Sequence, residues 1–170
     1  MTDLTIRSAT LADNADVARL CWAYRDLLLE RSHVFPHVLA SYLDQPAYRD
    51  LIQDLPRIHA RPTGDILLAS VGSEVVGCAM YYPLATPGVT EIKRVYVDTN
   101  IRGSGAGRTL VEATIAAARK DGYSRMVLDT ITPLTQAIAL YEQMGFAPCD
   151  PFYEVDPTHA RYLRFYDYPL

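Results

Sequence analysis

Cysteine is scarce: three residues, Cys21, Cys78 and Cys149, lie far apart in a chain of 170. Odd in number and isolated, they form neither a disulfide framework nor a zinc pattern, and a reducing cytoplasm is the expected setting. No apolar run approaches the roughly 20 residues that a membrane span needs. Residues 1–8 lack a basic segment leading into an apolar one, so no signal peptide is expected. A long basic run is missing too, and the net charge is −4. That balance argues against a non-specific nucleic-acid binder. His33 and His37 stand four apart, but Pro36 lies between them and no third ligand follows, so no metal is expected. Neither repeat nor linker divides the sequence, which is expected to form a single domain over residues 1–170. What it does have is core-forming material: 49% of residues are hydrophobic and 21% charged, a balance that favours a packed interior over disorder.

Periodicity orders the elements. Ile6 and Arg7 open a first strand, and Thr10 to Asp13 reads as a capping box before a helix reaching about Glu30. Pro36, Pro46 and Pro56 punctuate the next stretch, where two short helices are expected near 37–43 and 46–55. Residues 65–71 and 74–82, joined at Gly72-Ser73, read as a hairpin, and 91–97 as the next strand. An amphipathic helix then begins near Thr109 and stops at Gly122, and a buried-type strand covers 125–130. Thr132 as N-cap and Pro133 at the first position open another helix, ending at Gly145. Residues 153–155 and 162–168 complete the pattern as a last pair of strands, giving an α/β fold with a mixed sheet.

The densest chemical signal is Arg102-Gly103-Ser104-Gly105-Ala106-Gly107-Arg108, placed where a strand turns into a helix. Glycine permits positive φ and close approach to the main chain, and a helix start directs free N–H groups and a positive dipole end at a ligand. A phosphate or pyrophosphate is the natural guest; a plain tight turn is the alternative. Arg108-Thr109 after Gly107 does not fit a Walker A loop, and G-x-G-x-G in mid-chain does not fit a dinucleotide fingerprint.

Strand 91–97 followed by this loop and a helix resembles the acetyl-CoA signature R/Q-x-x-G-x-G/A of the GNAT family of N-acetyltransferases. The downstream run Ala137-Ile138-Ala139-Leu140-Tyr141-Glu142-Gln143-Met144-Gly145-Phe146 resembles the second hallmark of that family. The stretches 91–97 and Leu128-Asp129-Thr130 look like a subgroup of small bacterial-type members. The resemblance implies a mostly antiparallel mixed sheet flanked by helices, with a splayed central strand pair, and acetyl-CoA as cosubstrate. It also implies that the pantetheine arm lies along Val95, Tyr96 and Val97. The pyrophosphate would sit on the amides of Gly103, Ser104, Gly105, Ala106 and Gly107, with Arg102 and Arg108 adding charge.

By the same resemblance Tyr141 matches the tyrosine that protonates the departing thiolate, its place on an apolar stripe allowing a core role instead. Glu91 stands where several relatives carry a glutamate that removes the amine proton; binding the substrate cation is the other reading. Lys93 and Arg94 are expected to decorate the sheet, with binding of an acidic substrate group by one of them as the alternative. Leu134 departs from the family's usual asparagine, removing a contact worth about 1 kcal/mol unless Thr132 or Thr135 replaces it. Tyr24, Tyr81, Tyr82, Phe152 and Tyr153 are offered either to an amphipathic acceptor pocket or to the core. The expected reaction is acetyl transfer to a primary amine of a small molecule. A protein or peptide amine, a CoA-binding module without efficient catalysis, and a homodimer remain open.

Overall fold

A computed structural model describes residues 3–33, 37, 39–40 and 43–170. Strand β1 (Leu4–Ser8) leads through a three-residue 3-10 turn into α1 (Asn14–Arg31), and α2 (Gln45–Ile58) follows. The hairpin β2 (Asp65–Val71) and β3 (Glu74–Pro83) continues into β4 (Val89–Val97), then α3 (Ala106–Lys120) and β5 (Arg125–Ile131). Helix α4 (Thr135–Gln143), the two-residue β6 (Ala147–Pro148) and β7 (Leu163–Pro169) complete the chain. The strands form one sheet in the order β1-β2-β3-β4-β5-β7-β6. Only β4 and β5 pair in parallel among the described residues, so the sheet is mixed and mostly antiparallel.

Core packing follows from strands that are apolar on both faces. On β2, Ile66 and Leu68 join a cluster with Leu20, Cys21, Tyr48 and Leu55 from α1 and α2. Leu67 and Ala69 point the other way and pack with Leu110 of α3. A further cluster joins Val111 and Ile115 of α3 to Met126 and Leu128 of β5 and Tyr141 of α4. The Tyr48 hydroxyl, fully buried, donates to the Cys21 carbonyl at 2.8 Å and ties α2 to α1.

Several boundaries move for identifiable reasons. The Thr10–Asp13 pair forms, with the Asp13 carboxylate accepting from the Thr10 N–H at 2.7 Å, but it heads the 3-10 turn rather than α1 itself. The expected helix at 37–43 falls in part outside the described residues. Thr132 is not a helix cap, because its N–H donates to the Tyr162 carbonyl at 2.9 Å and α4 starts only after Leu134. Residues 153–155 are not a strand: Ala147 and Pro148 occupy the outer edge of β7, opposite Asp167 and Tyr166.

Gly77 marks a close approach of β3 to β4. A Cβ there would lie 2.8 Å from the Tyr96 carbonyl oxygen, with Leu110 and Val97 side chains at 3.1 and 3.2 Å. Backbone cannot yield as a flexible side chain can. Gly77→Ala is therefore expected to lower stability by about 1–3 kcal/mol in urea denaturation; unchanged stability would contradict this packing.

Candidate functional site

The site begins where the parallel ladder ends. Strands β4 and β5 pair only at Val89–Arg125, Thr90–Met126 and Glu91–Val127. On its other side β4 bulges: Cys78 faces Tyr96 and Met80 faces Lys93, so Ala79 alone stands against Arg94 and Val95. Arg94 sits in the left-handed region with φ 52°, a conformation that costs a non-glycine residue on the order of 1 kcal/mol. Beyond the last pair the strands diverge around a cleft of about 800 Å³, lined by residues 92–97 and 128–131. Tyr24, Leu27 and Arg31 of α1 form another part of the lining, as do Leu140 and Tyr141 of α4.

The glycine loop closes one end. Gly103 and Gly105 have φ of +84° and +87°, and a Cβ at either would meet nothing within 4 Å. Gly105 caps α3, and the Thr109 N–H is the first of the helix to find a carbonyl, that of Gly105, at 3.0 Å. The amides of Ala106, Gly107 and Arg108 are left without a main-chain acceptor among the described residues. At Gly107 a Cβ would meet Leu140 at 3.6 Å. Arg102 donates from Nε to the Val97 carbonyl at 3.2 Å, and its guanidinium lies over the Tyr96 ring. Arg108 pairs with Glu112 at 3.9 Å. An open concavity with free amides, two arginines and a helix start fits a pyrophosphate. Val95, Tyr96, Val97, Arg102, Gly103, Gly105, Ala106, Gly107 and Arg108 all line the cleft. Ser104 is not in its lining, and its N–H donates to the Ile101 carbonyl.

At the middle of the cleft the Tyr141 side chain, 7% exposed, stacks edge-on to Phe146. Burial, reinforced by the Asp129 charge, pushes its phenol well above the usual value, so it stays a proton donor at neutral pH. Glu91 lies behind the cleft wall rather than in the lining. It is buried, accepting from the Tyr82 hydroxyl at one oxygen and from Lys93 Nζ at 3.0 Å on the other. Lys93, Arg94 and Asp129 do line the cleft, and Arg94 is buried. The expectation that Lys93 and Arg94 merely decorate the sheet is thereby corrected: the bulge turns this part of β4 toward the splay. Tyr24 and Tyr153 line the cleft, whereas Tyr81 and Tyr82 are engaged by Asp121 and Glu91. Asp129 lines the cleft without having been singled out from the sequence, although a carboxylate following Met126-Val127-Leu128 in a buried strand is itself a signal.

The sequence matches the acetyltransferase (GNAT) family over residues 24–146. The chain belongs to this family. It is accordingly an acyl-CoA-dependent N-acyltransferase domain. An uncharacterised N-acetyltransferase of Schizosaccharomyces pombe is 37% identical over 109 residues, covering 64% of this chain and 67% of that protein. An IAA acetyltransferase of Azospirillum brasilense is 36% identical over 114 residues, covering 66% of this chain and 74% of that one. In fold, PaiA N-acetyltransferase from Thermoplasma acidophilum, solved in complex with coenzyme A, aligns with a TM-score of 0.74 at 16% identity over 99% of each chain. Leu134, at the position of the usual GNAT asparagine, lines the cleft, and so does Thr135 beside it. Thr132 does not reach the lining. No helix among the described residues is long and apolar enough to cross a membrane, and no group of three His, Cys, Asp or Glu could hold a metal ion.

A buried histidine stands behind this GNAT site. His59 Nδ1 lies 2.9 Å from the Tyr81 carbonyl, which assigns the proton to Nδ1, and the ring packs edge-on to Tyr82. Its Nε2 is buried without a partner among the described residues. Burial foremost, then the charges of Arg94 and Lys93, holds its pKa down to about 4 from 6.5. The unfolded chain takes up this proton first, so the contribution is intact above pH 6.5 and is lost as pH falls toward 4. Denaturation across that window is expected to show a loss of roughly 3 kcal/mol that His59→Gln removes; the same slope in both proteins would contradict the assignment.

Proposed function

We propose that the chain transfers the acetyl group of acetyl-CoA to a primary amine of a small molecule, in the cytoplasm. One observation carries the reading: the glycine loop with its free helix-start amides, Tyr141 and a cluster of ionisable residues line one continuous cleft. The thioester supplies an activated acetyl carbonyl. On this reading the amides of Gly103, Gly105, Ala106, Gly107 and Arg108, with the side chains of Arg102 and Arg108, hold the pyrophosphate, and the main chain of Val95, Tyr96 and Val97 holds the pantetheine arm in extended form. Their work is to align the two reactants, the largest part of a direct transfer between bound molecules. Tyr141 donates its proton to the departing sulfur, and the proton of the amine leaves into the carboxylates around Glu91. The apolar wall from α1 and the Tyr153 ring supply an amphipathic surface for the acceptor's body. Three free cysteines accord with a reducing compartment.

Thiol release from acetyl-CoA across a panel of primary alkyl, arylalkyl and polyamines tests the reading. Turnover is expected with at least one amine, and Tyr141→Phe should lower kcat by about 10²-fold while the calorimetric Kd for coenzyme A stays within twofold. A Phe variant as fast as the wild type would remove the role given to Tyr141. Coenzyme A binding with no amine ever consumed would favour a binding module instead.

A further inference from the structure

Two carboxylates stand at the point of the splay, and they are differently placed. Glu91 ends the β4–β5 ladder, with 4% of its side chain exposed and both oxygens taken by Tyr82 and Lys93. Asp129 lies two residues past the last ladder partner on β5, with 24% of its side chain exposed, and lines the cleft. The Tyr153 hydroxyl donates to Asp129 Oδ2 at 2.6 Å. Asp129 Oδ1 is 3.9 Å from Lys93 Nζ, beyond hydrogen-bond reach, and accepts no hydrogen bond among the described residues. One oxygen is thus fixed and the other is open.

Building on the acetyl-transfer reading above, we propose that Asp129 is the catalytic residue that takes the proton of the acceptor amine, and that Tyr153 is its positioning residue. Glu91 then serves from behind: it anchors Lys93, whose cation stands between the two carboxylates. The groups that face Asp129 are Lys93 and Glu91 from β4, Tyr82 from β3, Tyr153 from the segment before β7, and Tyr141 from α4. Asp129 and Tyr141 are close enough that the carboxylate charge helps hold the phenol protonated. Base and acid therefore occupy one cleft with distinct tasks. Asp129 first takes a proton from the bound ammonium at its open oxygen and releases it to solvent. As the neutral amine then forms the C–N bond and the C–S bond breaks, the nitrogen's next proton passes to the same oxygen and Tyr141 gives its own to the sulfur. Solvent then returns one proton from Asp129 to Tyr141, which leaves amide and free thiol as the balanced products.

The Phe152–Tyr153–Phe165 packing explains why the tyrosine can position the Asp129 base from an irregular segment. Its ring lies 5.4 Å from Phe152 and 5.2 Å from Phe165, so the hydroxyl is held by side chains rather than by a strand ladder.

Asp129→Asn keeps the shape and an oxygen for Tyr153 but loses the proton acceptor. In the full chain, kcat/KM for the fastest amine of the panel should fall about 10²-fold at pH 7, with coenzyme A binding by calorimetry unchanged within twofold. The deficit should shrink as pH rises toward the amine's own pKa, and at fixed pH for a less basic β-fluorinated analogue of that amine, because an amine already neutral needs less help. Tyr153→Phe should lower kcat less than Asp129→Asn does and leave KM for acetyl-CoA unchanged. Glu91→Gln should slow both amines by one factor at every pH. Wild-type rates in Asp129→Asn, or a deficit indifferent to pH and amine basicity, overturns the proposal while acetyl transfer stands. So does a basicity-dependent deficit in Glu91→Gln. A wild type inert to every amine overturns both.

Discussion

The bulge in β4 governs the molecule. With Ala79 opposed by both Arg94 and Val95, the strand cannot keep its course beside β5, and the parallel ladder stops after three residue pairs. Arg94 holds a left-handed backbone without being glycine, a conformation that persists only where packed surroundings over-determine it. Here Gly77 allows β3 to come near the Tyr96 carbonyl, and buried side chains on both sheet faces fix the rest. The interruption leaves a wedge inside the sheet whose walls are main chain and whose ends are open to different chemistry.

Each end of the wedge is charged in its own way. At the glycine loop the amides of a helix start and two arginines present positive potential with little side-chain bulk. Toward the splay point Lys93 stands between Glu91 and Asp129, with the hydroxyls of Tyr82 and Tyr153 completing the set. Tyr141 lies in the same cleft and is held protonated by burial. On the proposed reading a phosphate-bearing acyl donor and its acceptor would thus meet beside a phenol that carries its proton at neutral pH.

Much of this was legible in the sequence because glycine leaves a signature. Gly103, Gly105 and Gly107 mark the loop, Gly72 the hairpin and Gly122 the end of α3, each where the backbone turns or a helix must come close. The bulge was not legible, because an arginine in a left-handed conformation carries no such mark and its cause lies in the facing strand. Thr132 and Pro133 read as a helix start, yet the Tyr162 carbonyl from thirty residues on claims the Thr132 amide. Tyr153 reads as strand from its apolar neighbours, and a tertiary hydrogen bond to Asp129 uses it otherwise. That Asp129 lines the cleft while Glu91 does not was hidden for the same reason: the two carboxylates differ in the hydrogen bonds their neighbours have already made.

On the proposed reading, coenzyme A seats in the wedge between β4 and β5, closed at one end by the glycine loop. Amide hydrogen exchange with and without coenzyme A tests it most directly. Protection is expected chiefly at residues 95–97 and 103–108, with ATP giving markedly less. Protection absent from both segments, or ATP protecting them as well as coenzyme A does, would contradict it.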